Sequence, residues 1–379
     1  MSDSIQITEL RRSGRDLSRF LRMPYAVYDG DPNWVAPLMA DLKKVFFDSN
    51  PLFEHAEMSI WVATQGGRDV GRIAGILDRN HVAKHEDATA FWGFFECIND
   101  QAVADKLFAA VGDWAKAKSC RRLLGPMNPT TNDECGLLIK GFDSPPVIMM
   151  TYNPPYYVDL VERGGFSKAK DLLAYKFGVN PKPLERMRKI ADGLARRNPD
   201  LKIISIRKKH LLADLEKVKA VYNAAWEDNW GFVPMTDGEL TFMAARLKPL
   251  LVEDFALIAE DKGVPVGFML CLPDYNQAIG PMKGKLLTPR IWGLLQMLMG
   301  WKTPKMARVL TLGLVKSHRQ RGIDAMFFAH CVAKGIEMGI EECEVSWMLE
   351  DNVMVLRPIE VFGGVNYKTY RLYDKPLAG

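Results

Sequence analysis

Apolar side chains recur along this chain with two periods that take turns. Alternation at every second position marks strands. It predicts one from Ile5 to Leu10, a hairpin of Ile60 to Thr64 and Val70 to Leu77 turning at Gln65-Gly66-Gly67-Arg68, and an aromatic strand from Ala90 to Phe95. Spacings of three and four mark helices, one over roughly Arg15 to Tyr28 and one whose Val103, Leu107, Val111 and Trp114 share a face. The strand Arg122 to Gly125 then opens a polar loop, GPMNPTTNDECG. An apolar segment near Val147 to Met150, a short helix ending at Gly164-Gly165 and a strand from Leu172 to Phe177 close the first half.

The plan then repeats. Pro181 and Pro183, followed by the charged run ERMRKIADGLARR, predict a linker and connecting helix over 181–200. A strand from Leu201 to Arg207 and a helix within Leu211 to Trp226 follow. A hairpin pairs Phe255 to Glu260 with Val264 to Leu272, and a strand from Cys343 to Leu349 precedes a helix ending at Gly363-Gly364. Short words repeat in the same order: NWVAP at Asn33 answers NWGFVP at Asn229, and Val70-Gly71 answers Val266-Gly267. Asn153 and Asn352 each stand eleven residues before a glycine, Gly164 and Gly363. A duplicated domain explains all three, with expected boundaries of 1–180, 181–200 for the connection, and 201–379.

Composition narrows the class. With 48% apolar and 25% charged residues the 379-residue chain has globular composition, and its net charge of +4 argues against nucleic acid as a partner. The six cysteines are scattered, without a metal-ligand spacing, which fits reduced thiols in a cytoplasmic protein. No membrane partner is expected, because no apolar run reaches spanning length. The longest, Ile291 to Trp301 (IWGLLQMLMGW), is expected to pack in a groove. A homodimer stays open.

The second half carries one stretch with chemistry in it, ARVLTLGLVKSHRQRGIDA from Ala307 to Ala325. Leu310, Leu312 and Leu314 alternate with Thr311, Gly313 and Val315 as a strand. Met326, Ala329, Ala333, Ile336 and Ile340 follow at helical spacing. Between them lie Arg319, Arg321 and Gly322. A strand that turns into a helix leaves backbone N–H groups pointing outward, a seat for phosphate or pyrophosphate.

This order of elements, with Arg319-Gln320-Arg321-Gly322-Ile323-Asp324 at the turn, resembles the GCN5-related N-acetyltransferase (GNAT) superfamily, whose motif there is (Q/R)xxGx(G/A). The chain resembles two such domains in tandem. The resemblance implies an α/β fold with a mixed sheet and flanking helices. It also implies acetyl-CoA or another acyl-CoA bound by Leu314, Val315, Arg319, Gln320, Arg321, Gly322, Ile323, Asp324 and Asn352. Asp324 departs from the motif, since a carboxylate there repels a pyrophosphate even as it favours its own helix. The first half departs further: its turn, Phe95 to Gln101, has no glycine and no base.

Acyl transfer to an amine needs the amine deprotonated, a donor for the carbonyl oxygen and a proton for the departing thiolate. Glu350 and Asp351 are the candidates for the base, or else a solvated strand end. The position where the family often keeps a Tyr acid is Ile359, so Tyr370, or Tyr367 or Tyr373, is the candidate acid unless all three are packing. Gly313 permits either close approach of the pantetheine arm or close packing, and Asn352 either bonds that arm or caps a helix. For the acceptor, Glu227 and Trp230 stand in AAWEDNWGF, where Trp226 and Phe232 form either an aromatic wall or a packing cluster. Asn128 and Asn132 stand in the polar loop. No serine or aspartate stands at a triad spacing from any histidine, and no metal site is expected. The expected activity is direct N-acyl transfer from coenzyme A to an amine of a small molecule or peptide. The rivals are a non-catalytic binding module and an aminoacyl-tRNA-dependent transferase. The insertion Leu286 to Trp301 either lines a channel for a longer acyl chain or covers the seam between domains.

Overall fold

The computed structural model describes residues 4–377. The first half runs β1 Gln6–Leu10, α1 Gly14–Arg22, α2 Pro24–Val27, α3 Met39–Val45, β2 Ala56–Gln65, β3 Arg68–Asp78, α4 Arg79–His85, β4 Thr89–Cys97 and α5 Gln101–Ala117. It continues with β5 Arg122–Gly125, β6 Met127–Asn128, β7 Glu134–Cys135, β8 Leu137–Lys140, α6 Tyr157–Arg163 and β9 Ser167–Gly178. Then come α7 Pro181–Arg197, β10 Leu201–Ser205, α8 Leu211–Trp226, α9 Asp237–Leu247, β11 Ala256–Asp261, β12 Val264–Pro273 and α10 Asn276–Ile279. The chain ends with α11 Ile291–Leu298, β13 Met306–Leu314, α12 Ile323–Met338, β14 Glu342–Leu349, α13 Val353–Val361 and β15 Val365–Pro376. Two compact units share these elements. Of the described residues, the first holds 4–172, 279–288 and 368–377, and the second holds 173–278 and 289–367.

In the first unit β1, β2, β3 and β4 pair antiparallel in sequence order, and β4 pairs with β5 in parallel. From Lys368 on, β15 closes this unit, with Tyr373 opposite Gly125 and Tyr370 opposite Leu138. Helix α5 begins at Asp100, whose carboxylate accepts from Ala102 N at 2.8 Å. Its Val103, Leu107 and Val111 are buried, each worth about 2 kcal/mol of transfer free energy. Gly71 of β3 admits them closely, since a Cβ there would lie 2.7 Å from Leu107 Cδ1.

Buried His81 on α4 stacks edge-on to Phe91 with ring centroids 4.7 Å apart, and neither ring nitrogen has a hydrogen-bond partner. Burial drives its pKa down to about 4. The folded value lies below the ordinary one near 6.5, so the contribution of neutral His81 is complete above about 6.5 and is lost as pH falls toward 4. The loss is expected to reach about 3 kcal/mol by pH 4. Urea midpoints at neutral and acid pH should therefore converge in His81→Phe, and an unchanged acid sensitivity would assign it to other groups.

In the second unit β10, β11, β12 and β13 pair antiparallel in order, and β13 pairs with β14 in parallel. A core of Leu257, Met269, Val309, Phe327 and Val345 lies on the face carrying α12. On the other face Val221 and Ala225 of α8 meet Ile258 and Phe268. The charged run expected to connect the halves is the helix α7, capped by Asn180, with Leu184 and Met187 buried in the α12 core.

Some elements differ from expectation. The first helix stops at Arg22, and a separate short helix starts at Pro24, whose missing N–H suits a first turn. Helix α9 follows the loop after α8, and Thr236 and Glu239 form a capping box at its start. The 11-residue apolar run does not pack in a groove throughout: in α11 only Leu294 and Met297 are buried, while Trp292, Leu295, Met299 and Trp301 are exposed. Among the described residues no helix is long and apolar enough to cross a membrane.

Candidate functional site

The parallel ladder between β13 and β14 runs from Met306 opposite Glu342 to Val309 opposite Val345 and stops there. Both strands continue, β13 to Leu314 and β14 to Leu349. The strands part, and half-buried Leu310, Leu312, Trp347 and Leu349 lie along the two arms. Beyond Leu270 the register with β12 shifts by a bulge, which bends β13 at the parting point.

At the far end of β13 the chain turns into α12. Gln320 and Gly322 adopt positive φ, +60° and +84°, and Gly322 is the N-cap of the helix. Glycine there carries no capping side chain, so the first-turn N–H groups of α12 have no intrahelical acceptor and suit an anion. The residues around the turn are engaged in holding it. Arg319 donates to the carbonyls of Ala225 at 2.7 Å and Leu314 at 3.2 Å, joining the end of α8 to β13. Arg321 donates to Asn198 Oδ1 at 3.1 Å, and Val315 N donates to the Val266 carbonyl at 2.9 Å. His318 contacts Asp261 at 3.0 Å, and that hydrogen bond holds the Asp261 carboxyl below its ordinary range. Ile323 is buried, Asp324 is half-exposed in the first turn of α12, and Ile190 of α7 stands beside Gly322.

A second polar cluster lies where the strands part. Arg308 and Glu344 are paired positions in the ladder, one step before it ends. Both are buried, as is Ser346. Arg308 Nε donates to Ser346 Oγ at 2.9 Å and its Nη2 to the Ser346 carbonyl at 3.3 Å. The Ser346 hydroxyl donates to one oxygen of Glu344, and the Tyr367 hydroxyl donates to the other. Lys176 lies over the Tyr367 ring, 5.6 Å from its centroid, and pairs with Glu342 at 3.0 Å. A buried carboxylate with a hydroxyl on each oxygen can accept a proton and return it through either neighbour.

Sequence reasoning missed Arg308, Glu344 and Ser346 as site residues, and Tyr367 was only one of three tyrosines considered. The available signal was a charged residue inside each of two apolar strands, in ARVL and in CEVSW. The base candidates Glu350 and Asp351 follow β14 at its open end, the first half-exposed and the second exposed. Asn352 is the N-cap of α13 by its backbone carbonyl, which accepts from Val355 and Leu356, while its side chain makes no cap bond. Tyr370 belongs to the first unit, buried against Gly136. Tyr373 donates to Glu162 at 3.0 Å in the same unit.

Of the acceptor candidates, Glu227 caps the C-terminus of α8 next to Asp228, and Lys316 reaches the two at 3.8 and 2.6 Å. The hydrogen bond to Asp228, and then the charge of Asp228 and Glu227, raise the Lys316 pKa. Trp230 is half-buried in the loop beyond. Trp226 packs within a cluster of Tyr222 and Phe268, at centroid distances of 4.8 and 5.5 Å. It also explains Gly313, where a Cβ would lie 2.2 Å from the Trp226 ring. Asn128 and Asn132 are in the first unit. Asn128 Oδ1 accepts from Phe94 N at 2.6 Å, and Asn132 N donates to Thr130 at 3.1 Å.

This geometry can be set beside known proteins. No family model matches the chain. It is 35% identical over 373 residues to a protein named bacterial ceramide synthase from Caulobacter vibrioides, covering 96% of this chain and 95% of the relative. It is 31% identical over 369 residues to the protein YghO of Escherichia coli, covering 96% and 93%. Its fold matches a tandem GNAT protein from the clavulanic acid biosynthesis pathway over 99% of both chains, at a TM-score of 0.59 and 11% identity. The chain belongs to the family of these two relatives and has the tandem GNAT fold.

The two GNAT-like sheets differ at the place where strands part. In the first unit β4 and β5 pair only from Thr89 opposite Arg122 to Phe91 opposite Leu124. The next stretch of β4 is filled by β6: a Cβ at Gly93 would lie 1.6 Å from the Met127 carbonyl oxygen, and Asn128 bonds Phe94. Near the end of β4 the half-buried Glu96 accepts from Tyr157 at 2.8 Å and from Arg72 at 3.5 Å, and burial raises its pKa. A pantetheine arm has no vacant strand edge at β6.

Proposed function

We propose that this protein is an N-acyltransferase that moves a long acyl chain from coenzyme A to the amine of a sphingoid base, forming a ceramide-type amide. The 35% identity to the protein named bacterial ceramide synthase, sustained over almost the whole chain, carries this reading. Its support in the fold is the second unit's open strands and the uncapped start of α12.

In this reading the acyl-CoA pyrophosphate sits on the first-turn amides of α12 at Gly322, with Arg319 and Arg321 holding the turn in shape. The thioester lies between the arms of β13 and β14, where apolar side chains accommodate the acyl chain. Glu344 takes the proton lost by the attacking nitrogen, relayed through Ser346 or Tyr367. The Tyr367 hydroxyl gives a proton to the departing sulfur, and Glu344 returns one to Tyr367. The amide forms as the thioester bond breaks, and no acyl-enzyme is needed.

Incubating the protein with a long-chain acyl-CoA and a sphingoid base is expected to yield the N-acyl product and free thiol in equal amounts. Product formed equally with short and long acyl donors would remove the lipid part of the proposal. No amide from any acyl-CoA would remove the transferase reading.

A further inference from the structure

We propose that α11 with its flanking residues docks the protein on a lipid bilayer of anionic headgroups. The proposal stands apart from the acyl-transfer reading.

Helix α11 turns Leu294 and Met297 inward. Four apolar residues face the other way: Trp292 is 52% exposed and Leu295 37%, and just past the helix Met299 is 46% exposed and Trp301 67%. Spacings of three and four put Trp292, Leu295 and Met299 on one face. The rings of Trp292 and Trp301 meet edge-on with centroids 6.0 Å apart. A globular protein ordinarily keeps such a stripe covered, and clustered exposure of large apolar groups marks a partner.

The charge carried by this stretch of chain has one sign. From Tyr275 to Ile323 the sequence contains no Asp or Glu. Within the second unit, exposed Arg290, Lys302 and Lys305 flank the apolar face. Lys305 pairs with Glu341 at 2.6 Å. A second copy of this chain would bring these cations against their own kind, whereas anionic headgroups complement them. Tryptophan suits the layer where headgroups meet acyl chains, since its ring is apolar and its N–H polar. At about 1.5 Å per residue the helix is far shorter than a bilayer's roughly 30 Å hydrocarbon core, so it lies in the plane of the surface.

Flotation of the full chain with vesicles tests this. Phosphatidylcholine vesicles holding about 30 mol% phosphatidylglycerol are expected to carry the protein up, and pure phosphatidylcholine to carry about tenfold less. Trp292→Ser with Trp301→Ser, and separately Arg290→Glu with Lys302→Glu, are each expected to lower the bound fraction about tenfold. All four side chains are exposed, and circular dichroism checks that the variants fold. Acyl transfer to a detergent-dispersed amine is expected to survive in both, so failure of docking and failure of catalysis are distinguishable. Wild-type protein left unbound by anionic vesicles overturns the proposal. So does binding that the tryptophan variant keeps, or a dimer that this variant abolishes in protein that never floats.

Discussion

Glu344→Gln is expected to lower kcat by about two to four orders of magnitude while changing KM for the acyl donor little. The amide keeps the shape of the carboxylate but takes up no proton, and its NH2 cannot accept from both Ser346 and Tyr367, which donate to the two oxygens of Glu344. The anchor proposed for the donor is elsewhere, at the start of α12. A purely structural role is separated by the pH profile: without the relay, kcat should follow the fraction of free amine and continue rising with pH. Tyr367→Phe should lose much of the same rate. If Glu344→Gln retains wild-type kcat and pH profile, the buried cluster takes no part in the reaction.

The largest stability effect is expected in the other unit, at Gly93. An alanine Cβ there would lie 1.6 Å from the Met127 carbonyl oxygen and 3.0 Å from Asn128 Oδ1. Backbone cannot yield as a flexible side chain does, so β6 must leave β4, and the Asn128 bond to Phe94 goes with it. Gly93→Ala is expected to destabilise the protein by about 4 kcal/mol, combining overpacking with a lost buried hydrogen bond. Denaturant unfolding followed by the fluorescence of neighbouring Trp92 would register it. A loss below about 1 kcal/mol would mean that β6 does not fill the parting of β4 and β5.

The sheet was legible where one period dominated. Both hairpins announced themselves by alternation around glycine turns, and the long helices by shared faces such as Val103, Leu107 and Val111. The turn at Gly322 was legible because its chemistry is local, within six residues. The Arg308, Glu344, Ser346 and Tyr367 cluster was not, because its members meet across strands, 38 residues apart for Arg308 and Ser346 and 23 for Glu344 and Tyr367. Each alone is one polar residue in an apolar strand. The segment that fills the first unit was hidden for the opposite reason. Its proline- and asparagine-rich composition reads as an exposed turn, yet Met127 is fully buried and Asn128 is spent on β4. In α11 the sequence showed apolarity but not direction, which only the fold assigns.

In the proposed function one acyl-CoA binds per chain, between β13 and β14 of the second unit. Hydrogen exchange with and without a non-reactive long-chain acyl-CoA analogue tests it most directly. Protection is expected over 310–325 and at 346–352, with residues 93–101 of the first unit unchanged. Protection confined to 93–101, or none anywhere at millimolar analogue, would contradict it.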